Sequence, residues 1–113
     1  MTPAIMALVL ALFHGTPITV EMVEATGSSV AVVRETRMPG MGGWIGCSPD
    51  RCEIEVVDLG YLRHEAAHVA DMLADGVMDG SIAGWTPWIG TPYASLGPVE
   101  ALGYWSGAQE VRP

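Results

Sequence analysis

Asp58-Leu59-Gly60-Tyr61-Leu62-Arg63-His64-Glu65-Ala66-Ala67-His68-Val69-Ala70-Asp71-Met72-Leu73-Ala74-Asp75-Gly76 reads as one helix with both of its ends marked. Asp58 is a capping type, because its carboxylate can accept from backbone N–H groups that the first turn leaves unpaired. Gly76 is a stopping type, since it takes the left-handed conformation without the cost of a Cβ. At about 100° per residue, Leu62, Ala66, Val69, Ala70 and Leu73 gather on one side of residues 59–75. His64, His68, Asp71 and Asp75 gather on the other. The apolar stripe has to be buried against further elements, so this helix predicts a packed domain around it.

The polar side carries chemistry. Two histidines at i and i+4 lie one turn apart, so both imidazoles can reach a single ion at about 2.0–2.1 Å. Glu65 projects about 100° around the helix from His64 and lies beside such an ion, where its carboxylate can take a proton from water. A catalytic zinc takes three protein ligands and keeps one position open. Glu100, in Gly97-Pro98-Val99-Glu100-Ala101-Leu102-Gly103-Tyr104-Trp105, is the expected third ligand. Asp71 is its rival, being one turn beyond His68, but a short side chain there points past the ion and better suits accepting a histidine ring N–H. Glu110 is a weaker alternative ligand, and Asp75 and Asp79 read as solvated charges. A plain solvated helix face with two surface histidines is the bland alternative for the whole pattern.

Working outward, residues 4–14 read as a mostly buried helix ending near Gly15. Residues 16–26 and 29–38 are dense in β-branched types around Gly27-Ser28, which favours a β-hairpin; the competing reading is helix-turn-helix. Pro39-Gly40-Met41-Gly42-Gly43 is a loop, and Cys52-Glu53-Ile54-Glu55-Val56-Val57 alternates as a half-buried strand does. Cys47 and Cys52 flank a Ser-Pro-Asp turn that can bring them within disulfide range or leave two thiols. Residues 76–95 form a long loop rich in Gly and Pro, a kind that is usually functional, and Gly97-Pro98 opens a last helix through about Gly107.

His64-Glu65-Ala66-Ala67-His68 with Glu100 on a later helix resembles the gluzincin metallopeptidases, in particular their compact single-domain members, the minigluzincins. The resemblance implies an α+β, minimal zincin-like fold: an N-terminal helix, a small two- to three-stranded, mainly antiparallel sheet, an active-site helix, a long loop and a glutamate helix. It implies zinc held by His64, His68 and Glu100, Glu65 as general base, and a peptide or protein substrate. In such folds an edge strand binds an extended peptide, a role that falls here to the strand at residues 52–57. Two departures stand out. Asp71 and Ala74 occupy the positions of the metzincin Gly and third His, and Tyr104 stands where thermolysin-like enzymes have a supporting Asp. Tyr93 is a candidate to stabilise an oxyanion.

Length and composition fit one domain over residues 1–113. With 5 Lys and Arg against 13 Asp and Glu, a net charge of −8 argues against nucleic acid and anionic membrane surfaces. The apolar run at residues 4–13 is too short to span a bilayer and lacks the flanks of a signal peptide, so a cytoplasmic protein is expected in preference to a secreted one. Two other functions fit the same residues: a zinc-stabilised binding domain without catalysis, and a helix-turn-helix interaction module built on residues 16–38 with a coincidental histidine pair.

Overall fold

Cys52, Ile54 and Val56 alternate with Arg51, Glu53 and Glu55, and this alternation builds strand β3 (Arg51–Val56), whose first set is buried and whose second set faces outward. Residues 1–109 are described in the computed structural model of the chain. Strand β2 (Gly43–Ser48) pairs antiparallel with β3 through the turn at Ser48–Arg51, and β1 (Ser29–Val32) pairs parallel with β3 on its other side. The order β1-β3-β2 makes β3 the central strand and leaves β2 at an edge. Cys47 lies directly opposite Cys52 in the antiparallel register, and the two form a disulfide.

Helix α1 (Pro3–Phe13) is capped by Thr2, whose hydroxyl accepts from the Ile5 N–H at 3.2 Å, and it buries Ile5, Leu8, Val9 and Leu12. Helix α3 (Leu62–Asp75) is entered through a 3-10 turn, Leu59–Tyr61, where Asp58 accepts from the Gly60 N–H at 2.7 Å. It ends at Gly76 with φ 75°. Helix α4 (Pro98–Ala108) starts with Pro at its first position. One cluster joins α1, the inner face of β3, α3 and Leu102 of α4. The result is an α+β fold with a three-stranded mixed sheet. No helix among the described residues is long and apolar enough to cross a membrane.

The region 16–38 follows neither sequence reading as a whole. Residues 16–26 hold the short helix α2 (Val20–Glu24), because Thr19 caps it by accepting from the Met22 N–H at 3.2 Å and only Val23 needs burial. Gly27, with φ 93°, then turns the chain into β1 rather than into a second helix. Buried Ser28 accepts from the Cys52 N–H at 3.0 Å, which seats β1 against β3 instead of against residues 16–26. The hairpin in this fold is therefore β2–β3. The edge strands are β1 and β2, a correction to the expectation that residues 52–57 offer the free edge.

Candidate metal centre

Helix α3 is buried on nearly all sides. Leu62, Ala66, Val69 and Ala70 pack in the core as the stripe predicts, and Leu73 packs partly buried against it. The other side is not a solvated face: Glu65, His68 and Asp71 are buried too. What covers Glu65 and His68 is the rim of β2 and the start of α4, and the space left between is an open cleft of about 310 Å³. His64, Glu65, His68, Glu100 and Tyr104 line it with Gly42, Gly43 and Trp44.

Glu100 reaches both histidines from the first turn of α4. Its Oε2 stands 3.8 Å from His64 Nε2 and its Oε1 3.7 Å from His68 Nε2. Ligand atoms of the three residues all lie within 4.8 Å of one another. A tetrahedral zinc with bonds of about 2.0–2.1 Å needs its ligand atoms about 3.3 Å apart, so small side-chain rotations close the set. The protonation states also suit a cation. Burial lowers the pKa of His64, against the pull of Glu100. Burial and the neighbouring His64 push that of His68 down to about 4. Both rings are then neutral near pH 7, with a lone pair to give. His68 Nδ1 is buried with no hydrogen-bond partner, so no acceptor fixes the tautomer of that ring.

Glu65 stands in the same cleft without ligating geometry. It is 7% exposed, its Oε2 has no hydrogen-bond partner, and burial together with Glu100 raises its pKa to about 7. Two glycines make room for the site. A Cβ on Gly43 would come within 2.9 Å of Glu65 Oε1, and one on Gly103 within 2.6 Å of the His64 imidazole. Tyr104, one turn after Glu100, packs edge-to-face on His64 with ring centroids 4.6 Å apart.

Asp71 takes no part in orienting a histidine. Its carboxylate accepts from the Gly80 N–H at 2.7 Å and the Asp79 N–H at 3.3 Å, and burial raises its pKa to about 7 against those bonds. It fastens the long loop: Gly80 lies so close to α4 that a Cβ there would come within 2.3 Å of Pro98 carbonyl atoms, and Trp88 Nε1 donates to the Gly80 carbonyl at 2.7 Å. Asp75, expected to be solvated, is half-buried and accepts from the Ala83 N–H at 2.9 Å; Asp79 is exposed, as expected, and accepts from Ser81. Tyr93 sits on the 3-10 turn Pro92–Leu96 and is not among the residues lining the cleft, whereas Tyr61 and Tyr104 are. Glu110 lies outside the described residues.

Arg63 is the residue that the sequence reading missed. It is 5% exposed, and its guanidinium donates to the carbonyls of Ala11, Leu12, Thr16 and Ser106. It ties α3 to the C-terminal end of α1 and to α4, where the helix dipole favours a cation. An Arg beside a histidine motif looks like a surface charge, and only the fold reveals the four carbonyls around it. Compared with protein-family models, with curated proteins and with solved structures, the chain matches none of them.

Proposed function

We propose that this chain is a zinc-dependent metallopeptidase, with His64, His68 and Glu100 as ligands and Glu65 as general base. The observation that carries the reading is the convergence of three ligand atoms from two helices beside an unpaired buried carboxylate in one cleft. Two imidazole nitrogens and one carboxylate oxygen are a donor set suited to zinc, leaving a position free. When bound, the ion supplies Lewis acidity, which acidifies a water and polarises a carbonyl oxygen. Glu65 accepts the proton of the attacking water at its carboxylate and returns it to the leaving amine. The open edge of β2 beside the cleft favours an extended peptide, which can pair with its backbone as an added strand. The gluzincin resemblance read from the motif supports the same roles.

Elemental analysis of protein purified without added metal tests the reading, with one zinc per chain as the expected result. Well under half an equivalent, with no rise in melting temperature on adding zinc, rejects it. The pH dependence is distinctive. Only neutral imidazole ligates, and the proton competes at His68 only as pH falls toward about 4. The pKa of His64 is lowered too, so zinc is retained to a lower pH than two unperturbed histidines would allow. Release complete by pH 6 contradicts this.

A substitution at the rim probes the fit of the base. Gly43→Ala drives a methyl group against the Glu65 carboxylate, whose Oε1, Cγ and Cδ all lie within 3.2 Å of the added atom. Zinc content stays full while hydrolysis falls, because the carboxylate must move by a few tenths of an ångström to clear the methyl group. Unchanged activity in Gly43→Ala would mean that Glu65 has room to move without consequence.

A further inference from the structure

Residues 36–44 contribute no group to the proposed chemistry, yet they form a braced apolar wall of the cleft. Met38, Pro39, Gly40 and Met41 make a turn closed by the Met41 N–H donating to the Met38 carbonyl at 3.1 Å, with Gly40 at φ 83°. Pro at the second position and a positive φ at the third are the requirements of a type II turn. Thr36, 4% exposed, ties the turn down: its hydroxyl donates to the Met38 carbonyl at 2.8 Å and accepts from the Met38 N–H at 3.3 Å. Met38 and Met41 nevertheless stand 54% and 55% exposed, with their side chains lining the cleft. Beside them the Tyr61 ring lies against the Gly42 backbone, where a Cβ would come within 2.2 Å of ring carbons. Next along the rim, Trp44 is held under the Arg37 guanidinium at 4.3 Å, and Arg37 is itself paired with Glu53 and Glu55.

A fixed backbone presenting two long, polarisable and uncovered thioethers is suited to covering an apolar group of variable shape. Charge decides what else can enter. Among the described residues lining the cleft there is no Lys or Arg, while Glu65 and Glu100 are both there. Beside Met38 and Met41 an acidic side chain finds no Lys or Arg among the lining residues to pair with, and the net charge of −8 disfavours it.

We propose that Met38, Met41 and Tyr61 form a subsite for one large apolar side chain of an extended peptide lying along β2, and that this subsite disfavours an acidic residue there. This rests on the peptidase reading for the occupant, but it concerns binding and is measured apart from cleavage. The probes are acetylated, amidated heptapeptides of Gly and Ala in which the central residue is Leu, Phe, Lys or Asp. They are titrated against zinc-loaded Glu65→Gln protein by calorimetry and by tryptophan fluorescence. The Leu and Phe peptides bind at least about tenfold more tightly than the Asp peptide, the size that burying one such side chain supplies. The preference collapses in the double variant Met38→Ser with Met41→Ser and survives in Met38→Leu with Met41→Leu. Equal binding of Leu and Asp peptides, no binding of any of them, or a preference untouched by the Ser variants overturns the proposal. The same peptides incubated with the parent protein keep the two readings apart. Apolar preference without cleavage retains the subsite and rejects the peptidase, whereas cleavage indifferent to the central residue does the reverse.

Discussion

Glu65→Gln leaves zinc content unchanged and lowers peptide hydrolysis by at least about 10²–10⁴-fold, the range that a positioned general base supplies. The substitution is chosen for shape. Glu65 sits against the Gly43 backbone with 7% of its surface exposed, so a shorter residue would open a gap and confuse loss of the base with loss of packing. Gln keeps the length and loses only the carboxylate. The raised pKa makes the carboxyl a base of suitable strength, because a proton acceptor poised near the working pH both takes and returns the proton readily. A second readout does not depend on activity. In the folded, metal-free protein the Glu65 pKa lies near 7, above its value of about 4.5 in an unfolded chain. The protonated form therefore favours folding at low pH, and that contribution is lost as pH rises through about 7. Gln cannot ionise, so metal-free Glu65→Gln melts higher than the parent at pH 8 and close to it at pH 4. Full hydrolysis in the variant would assign the base to another residue, and a parent that holds zinc but cleaves no member of a peptide library would leave a binding domain.

The parts of this fold that can be read from sequence are those whose signals are local. Asp58 caps the 3-10 turn that leads into α3, four residues before the helix begins, Gly76 follows its last residue, and Pro98 is the first residue of α4. The alternation through Cys52, Ile54 and Val56 marks β3, and the Ser-Pro-Asp turn brings Cys47 to Cys52. Strand partners are another matter. Whether β1 pairs with its neighbour in sequence or with a strand 24 residues away depends on the Ser28 contact to Cys52, which has no local trace. The five residues of α2 are too few to show any period, so β-branched Val20 and Val23 read as strand until Thr19 is known to cap them.

The candidate site shows the same division. His64, Glu65 and His68 are legible because one helix fixes their spacing, and the structure places Glu100 within 3.8 Å of both imidazoles. The surroundings were not legible. Helix periodicity places Asp71 on the histidine side, but it cannot tell that a loop returns to cover that side and take the carboxylate for its own N–H groups. Arg63 was invisible for a related reason: its partners are carbonyls, and every residue has one.

Replacing Glu100 and Asp71 by Ala separates a ligand from a residue that positions it. Glu100 is half exposed, with its carboxylate reaching only toward the two imidazoles, so Glu100→Ala changes the metal-free fold little. Its effect falls on the ion: one of three ligand atoms is gone, and zinc affinity drops by more than the roughly 10–100-fold that losing a supporting group costs. Asp71→Ala has the opposite profile. It leaves the Gly80 and Asp79 N–H groups without their acceptor in a site where Asp71 is 0% exposed, at about 1–3 kcal/mol for a buried donor left unpaired. The metal-free protein therefore melts lower. Zinc affinity falls as well, by about 10–100-fold, because Gly80 packs on Pro98 and a loosened loop lets the start of α4 and its Glu100 drift from the histidines. Competition with a chromogenic chelator measures the affinities, and thermal denaturation of the metal-free forms measures the stabilities. A severe affinity loss in Asp71→Ala with a mild one in Glu100→Ala would make Asp71 the third ligand. A metal-free Asp71→Ala as stable as the parent would remove the anchoring role assigned to it.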